Sequence, residues 1–470
     1  MIKRSTLFSL ALFILVSVPA FLSGQDSGAS WKAGISRIEI TPSQNMWMAG
    51  YASRTHPSEG KIHDLWAKAL FLEDSNGNTG VLITTDLLGF SKTLSDRIRE
   101  KLQKEMGLTK AQVILNSSHT HSGPVLAEAL TDIYPVDSSE ELKIKEYSDW
   151  LVVQILKLAK QARNSSKEVS IYAGNGVARF QVNRRNNSES KISELTELKG
   201  PNDYAVPVMK VENKKGKIEA IVFGYACHPT VLSIYQWSGD YPGFAQLELE
   251  KSYEGATAMF FQGAGADQNP LPRRSVPLSK QYGQQLAASV NRVLSEEMKP
   301  LEPQMKYAYS EIDLPLEEPP TKEKLVQLTE ELKGYQKNWA ESLLEKTKKG
   351  ETLKTSYPYP IQIWQLGDQN IFGLGGELLI GYAINLKKMF GKDSFVMGYS
   401  NDVMAYIPTE KVLSEGGYEG YSSHMVYGLP ANWKPGIELS ITRGIADLAG
   451  QLGITPLVSP DELTDGLTPP

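Results

Sequence analysis

The chain has 470 residues, 41% hydrophobic and 22% charged, which suits an ordinary globular protein and excludes a disordered or fibrous one. A formal net charge of −5, without long runs of Lys and Arg, removes the electrostatic footprint of nucleic-acid binding and leaves a small-molecule substrate as the expectation. Cys227 is the single cysteine, so there is no internal disulfide, and stability falls to core packing and any bound metal.

Residues 1–24 read as a secretory signal peptide: Lys3 and Arg4 begin it, residues 7–22 are apolar, and Ser23-Gly24 precede Gln25. Those small residues favour cleavage over retention as an anchor, which places the protein in a secreted or periplasmic compartment. No later stretch is apolar enough to span a bilayer.

Residues 33–41 alternate as a strand stopped by Pro42, and residues 46–60 form a loop. Strands at 67–73 and 79–85 pair through Asn76-Gly77, a strong hairpin signal. Leu94, Ile98, Leu102 and Met106 recur every four residues between the cap Ser91 and the terminator Gly107, which predicts a helix leading to a strand at 113–116. A second helix is expected over 140–162, with Trp150, Leu151, Val153, Ile155 and Leu158 as its apolar positions. Residues 172–181 look extended and lead to Asn183-Arg184-Arg185-Asn186-Asn187, a solvated loop by composition.

The strand-then-polar-exit pattern repeats at 218–227, ending in His228-Pro229-Thr230, and at 256–262, ending in residues 263–270. Helices are predicted at 244–252 and 281–294. From Pro319-Pro320 to Gly350, Leu325, Leu328, Leu332, Tyr335, Trp339 and Leu343 recur at three and four. This spacing predicts one long amphipathic helix, an insertion that packs on the core or acts as a flap. Strands at 361–366 and 370–374 follow, then Gly375-Gly376-Glu377 opening a helix to Phe390, a strand at 394–399, a helix at 437–452 and a loose tail at 456–470. The sum is an α/β fold with a mixed-sheet core and flanking helices.

The chemistry centres on His119 and His121. If the strand continues, alternation sends both imidazoles to one side before Gly123-Pro124 turns the chain. Such a pair either offers ligands to a divalent metal or forms two hydrogen-bonded turn histidines. A zinc-type site needs three or four donors from separate elements with one position open. His119, His121 and His228 stand at strand exits, while Glu377 sits at a helix start, where it could equally be a capping charge. Nucleophilic chemistry is disfavoured: no Gly-x-Ser-x-Gly elbow occurs, and Cys227 reads as core filling. Gly373-Leu374-Gly375-Gly376 has Leu378 where a dinucleotide loop needs its third glycine.

The ordered motifs His119-Thr120-His121-Ser122-Gly123-Pro124, His228-Pro229-Thr230, Ser238-Gly239-Asp240, Asp267-x-x-Pro270, Gly376-Glu377, Tyr406-Ile407-x-Thr409 and Tyr418-Glu419-Gly420 resemble those of the neutral/alkaline (non-lysosomal) ceramidase family. The resemblance implies a catalytic domain over 32–455, with the 319–350 segment as an insertion, and a zinc ion held by His119, His228, Glu377 and Tyr406. It also implies a proton-handling role for His121, catalytic roles around Asp267 and Asn269, and substrate contact by Arg184. That last implication reverses the composition reading of residues 183–187. The implied reaction is attack of zinc-activated water on an N-acyl amide of a sphingolipid or other lipid-like acylated substrate, with peripheral contact to a membrane surface. Two departures stand out. Asn269 occupies the place of the family's serine in Gly-Asp-x-Ser-Pro, with Ala266 at the glycine. The chain also stops about where a C-terminal immunoglobulin-like domain would begin, so none is expected. A metallo-esterase or amidase on a non-lipid substrate, or a metal-retaining protein that binds without turnover, are the alternative expectations.

Overall fold

The computed structural model describes residues 30–130 and 132–463. The expected signal peptide and the last seven residues of the expected tail lie outside them. Among the described residues no helix is long and apolar enough to cross a membrane.

The hairpin Trp66–Glu73 and Thr79–Thr85 forms as expected, with Ala67 opposite Thr85 and Gly77 at φ 80°. Asp74 reinforces the turn by accepting the backbone N–H groups of Asn76 and Asn78, both at 2.8 Å. The helix Lys92–Met106 then crosses over to Val113–Ser117, which lies parallel to Thr79–Thr85. Ser91 caps its start and the left-handed Gly107 ends it.

These strands belong to a nine-stranded mixed sheet. Its order is Thr257–Gln262, Ile218–Tyr225, Ala205–Asn213, Lys167–Val177, Trp31–Glu39, Trp66–Glu73, Thr79–Thr85 and Val113–Ser117, with Lys299–Pro300 joined to Lys167–Val177. Only the pairs at the two ends of this order are parallel. The sheet curls until its ends meet. Asn116 closes the seam: its Oδ1 accepts the Gln262 N–H at 2.9 Å, and its Nδ2 donates to the Gly398 carbonyl at 2.7 Å.

Period-two alternation gives each strand two apolar faces. Ala69, Phe71, Ile83 and Leu115 pack under Lys92–Met106 and Ser138–Asn164. Phe223 and Phe260 pack under Asp240–Ser252 and Val276–Ser295. The opposite parity, including Leu72, Leu82, Ile114 and Phe261, meets Trp364, Ile371 and Phe395 of a second sheet. That sheet contains Met305–Pro315, Ser356–Leu366, Gln369–Leu374 and Phe395–Met397. Its far face, with Ile361, Ile363 and Phe372, carries the helices Ile380–Phe390 and Ile437–Gln451. The layers therefore run helices, sheet, sheet, helices, and each fully buried large aliphatic contributes about 1.5–3 kcal/mol.

Several expectations need correction. The single long helix is two, Lys322–Glu331 and Tyr335–Lys348, broken at Gly334 with φ 56°. Its spacing persists because both halves contribute to one apolar cluster through Leu325, Trp339 and Leu343. The pair packs back on the core, where the Trp339 indole donates to the Leu429 carbonyl at 2.8 Å. On Ser138–Asn164, Trp150 and Val153 are 39% and 53% exposed, because they fall off the stripe made by Ile144, Leu151, Ile155 and Leu158. The helices expected at 244 and 281 start earlier, at Asp240 and Val276, with Pro242 and Pro277 in first turns that tolerate proline.

Candidate active site

The strand Val113–Ser117 ends before His119, so strand alternation is not what brings His119 and His121 together. His119 instead adopts φ 64°, a left-handed conformation uncommon outside glycine. The turn is held by the His119 N–H on the Leu87 carbonyl and by the Thr120 hydroxyl on the Ser238 carbonyl, at 2.9 and 2.7 Å. The result brings the two Nε2 atoms to 3.2 Å. His228 follows Ile218–Tyr225, the strand next to the other end of the curled sheet, and its ring centre stands 4.9 Å from that of His119. Asp240 fastens the turn after it, accepting the Leu232 N–H at 2.9 Å and the Ser279 hydroxyl at 3.0 Å.

Glu377 is not a helix cap. It lies in the two-residue strand Glu377–Leu378, opposite Tyr406 in the parallel pairing with Tyr406–Ile407, before the helix that begins at Ile380. Paired residues on adjacent strands project to the same face, so Glu377 and Tyr406 point together into the site. Gly376, at φ 73°, permits this approach; a Cβ there would stand 2.8 Å from the Ala405 carbonyl oxygen. Glu377 Oε2 reaches the Nε2 atoms of His119 and His228 at 3.2 and 3.1 Å. The Tyr427 hydroxyl donates to Oε1 at 2.5 Å and that of Tyr399 to Oε2 at 3.4 Å. Neither tyrosine carries a periodic or motif signal in the sequence, and both were missed there.

The donor set fits a cation. His119 Nδ1 faces the Leu88 carbonyl at 2.7 Å and His228 Nδ1 faces the Gly265 carbonyl at 2.9 Å. A carbonyl only accepts, so each Nδ1 carries a proton, and each ring is thereby fixed with its Nε2 toward Glu377. His228 Nε2 is buried and makes no hydrogen bond. Burial pushes the His228 imidazole down to about 4, against the pull of Glu377. Burial, then the neighbouring His119 and His228, push His121 well below the usual histidine range. Burial alone would raise the Glu377 carboxyl, but His119 and His228 outweigh it and hold it well below the usual carboxylate range. The Nε2 atoms of His119 and His228 thus converge on Glu377 Oε2, and the ligand-capable nitrogens of His119, His121 and His228 lie within 4.8 Å of one another.

Around this centre, Tyr406 lies nearly parallel to His228, with ring centres 6.4 Å apart, and its hydroxyl accepts from Arg184 Nη2 at 3.1 Å. Arg184 Nε donates to Glu419 at 2.7 Å and Arg185 Nη1 to the same carboxylate at 2.8 Å. Residues 183–187 are therefore no solvated loop: Asn183 and Asn187 are each 3% exposed. The strand Gln181–Asn183 pairs with Gln268–Pro270. Asp267 serves the framework here, accepting from Asn183 Nδ2 and from the Ile380 N–H, both at 3.0 Å. Asn269, 3% exposed, keeps its Oδ1 without a partner. Burial raises the Cys227 thiol well above its ordinary value, which leaves it as core filling.

Gly50 bears directly on His121. At φ 104°, an added Cβ would stand 2.4 Å from both Cγ and Nδ1 of that ring. We expect Gly50→Ala to displace the His121 ring with the fold intact; the His121 imidazole resonances and circular dichroism check this, and unchanged resonances would contradict it.

Solved structures share this fold. The chain is similar to the neutral ceramidase from Pseudomonas aeruginosa, at TM-score 0.69 and 18% identity, over 92% of this chain and 76% of the other. It matches a ceramidase complexed with C2 with the same TM-score at 16% identity, over 92% and 77%. Among curated relatives, neutral ceramidase B of Dictyostelium discoideum is 26% identical over 277 residues, and the neutral ceramidase of Drosophila melanogaster 24% over 260. These matches cover 54% and 51% of this chain but only 38% and 35% of the relatives' own length. The model of the neutral/alkaline non-lysosomal ceramidase N-terminal region matches residues 31–270, just over half of the chain, so the protein belongs to that family.

Proposed function

We propose that this protein is an exported, zinc-dependent amidohydrolase that cleaves the N-acyl bond of a ceramide-like substrate, with His119, His228, Glu377 and Tyr406 holding the metal. The observation that carries this reading is the convergence of the His119 and His228 Nε2 atoms on Glu377 Oε2 at 3.2 and 3.1 Å, in a buried cluster that His121 completes. Zinc bound there supplies Lewis-acid chemistry toward the acyl carbonyl and a water. The chain's own residues do the rest. Neutral His121 takes a proton at a ring nitrogen and returns one to the departing amine. Tyr427 and Tyr399 keep the Glu377 oxygens oriented, and Arg184, anchored by Glu419, holds the Tyr406 phenol and faces the substrate. The Asn269 amide donates where the family's serine would, which favours a substrate whose contacts differ from those of ceramide itself.

Protein stripped with a chelator should lose hydrolysis of a short-chain N-acyl sphingosine, and added zinc should restore it. No turnover of any amide or ester in the zinc-loaded protein would leave a binding protein instead. Asn269→Ser should raise turnover of the ceramide-like amide about three- to tenfold, the equivalent of one hydrogen bond. An unchanged rate would mean that this position does not set specificity.

A further inference from the structure

We propose that a second cavity, of about 420 Å3, binds an organic ammonium ion with an apolar tail. It opens between the start of Lys92–Met106 and residues 402–404. Asp402 lies in its wall, 4% exposed; its Oδ2 accepts the Tyr357 hydroxyl at 2.7 Å, while Oδ1 is buried without any partner. A buried carboxylate oxygen left unpaired is costly, and a cation seated against it removes the cost.

The charges around the cavity point the same way. Lys92 is already held by Asp96 and Glu311 at 3.2 and 3.1 Å, and Arg97 by Asp149 at 2.6 Å. Glu100 and Glu128, on the exposed rim, make no ion pair among the described residues. Lys354 is the one lining cation without an ion pair among them, and it lies over the Tyr357 ring at 5.4 Å. Three acids are thus set against one base. A single free carboxylate oxygen suits an ammonium rather than a calcium or magnesium ion, which takes six or more oxygens. Tyr357, whose ring already attracts the Lys354 ammonium, and Tyr427 place aromatic rings in the lining, and Leu130, Val403, Met404 and Leu429 supply an apolar lining for the tail.

Tyr427 joins this cavity to the active site, because its hydroxyl holds Glu377 Oε1. An amphipathic amine is also what amide cleavage releases. The identification of the ligand as that product rests on the proposed function; the affinity for ammonium does not.

Calorimetric titration of the full chain with octylammonium tests the site, at pH 8, above the value of about 7 to which burial pushes Asp402. Octylammonium should bind, octanoate should not, and Asp402→Asn should weaken the affinity at least tenfold. Ala129→Trp, at the partly exposed rim, should block binding and serves as the deciding variant if circular dichroism finds Asp402→Asn misfolded. Equal affinity for octanol and octylammonium, or unchanged affinity in the folded Asp402→Asn variant or in Ala129→Trp, would overturn the proposal. Binding is read without turnover, so failure of hydrolysis on every amide rejects the proposed function alone. Intact hydrolysis without ammonium binding rejects the cavity alone.

Discussion

His119→Ala and His228→Ala should each empty the metal site and reduce hydrolysis by more than about 100-fold. Substitutions one shell out from a metal already cost about 10- to 100-fold in affinity or activity, and these remove a donor itself. Each ring is oriented by a backbone carbonyl, Leu88 for His119 and Gly265 for His228. His121→Ala should behave differently. It keeps the four proposed donors and loses the proton carrier, so zinc should stay near stoichiometric while turnover falls by about 100-fold or more. Elemental analysis of the three variants beside their rates separates the roles. Near-stoichiometric zinc in both His119→Ala and His228→Ala would sink the assignment.

Asn116→Ala should give the largest loss of stability and should weaken zinc binding from a distance. Asn116 is fully buried and contacts no proposed ligand, yet it joins the two ends of the curled sheet. Its loss leaves the Gln262 N–H without an acceptor, at about 1–3 kcal/mol, and removes the Nδ2 bonds to Gly398 and Ser400, each worth about 1 kcal/mol. A total on the order of 3 kcal/mol is expected from urea unfolding. One end of the seam leads to His119 and the other lies beside the strand that leads to His228, so loosening it spreads the donors. A change below about 1 kcal/mol with unaltered zinc affinity would show that the seam is held elsewhere.

Much of the local structure was legible in the sequence because its causes are local. Asn76-Gly77 could only turn a hairpin, and Ser91 and Gly107 bracket a helix by satisfying the backbone groups at its ends. Apolar runs that stop at His119 and His228 marked where strands give way to polar exits. Order and spacing of the same motifs pointed to the family, which the match over residues 31–270 bears out. Where a signal had two local explanations, the reading went astray. Leu325 to Leu343 keeps helical spacing across Gly334, because two short helices folded together need the same apolar face as one long one. Glu377 after two glycines looked like a cap, because a sequence does not reveal that a two-residue strand intervenes before the helix.

The sequence by itself determined many of the strands, though not Ala205–Asn213 or Met305–Pro315, and that two histidine-bearing exits exist about a hundred positions apart. Only the tertiary structure decided that these exits meet. Alternation with period two says that a strand has two buried faces, but not that one is covered by helices and the other by a second sheet. Nor does it say that the sheet curls until Val113–Ser117 approaches Thr257–Gln262 across Asn116. That closure depends on accumulated strand twist and on packing between layers, which are sums over the whole molecule. The site inherits this dependence: His119, His228 and Glu377 come from three separate elements, and each is aimed by a backbone contact made far away in the chain.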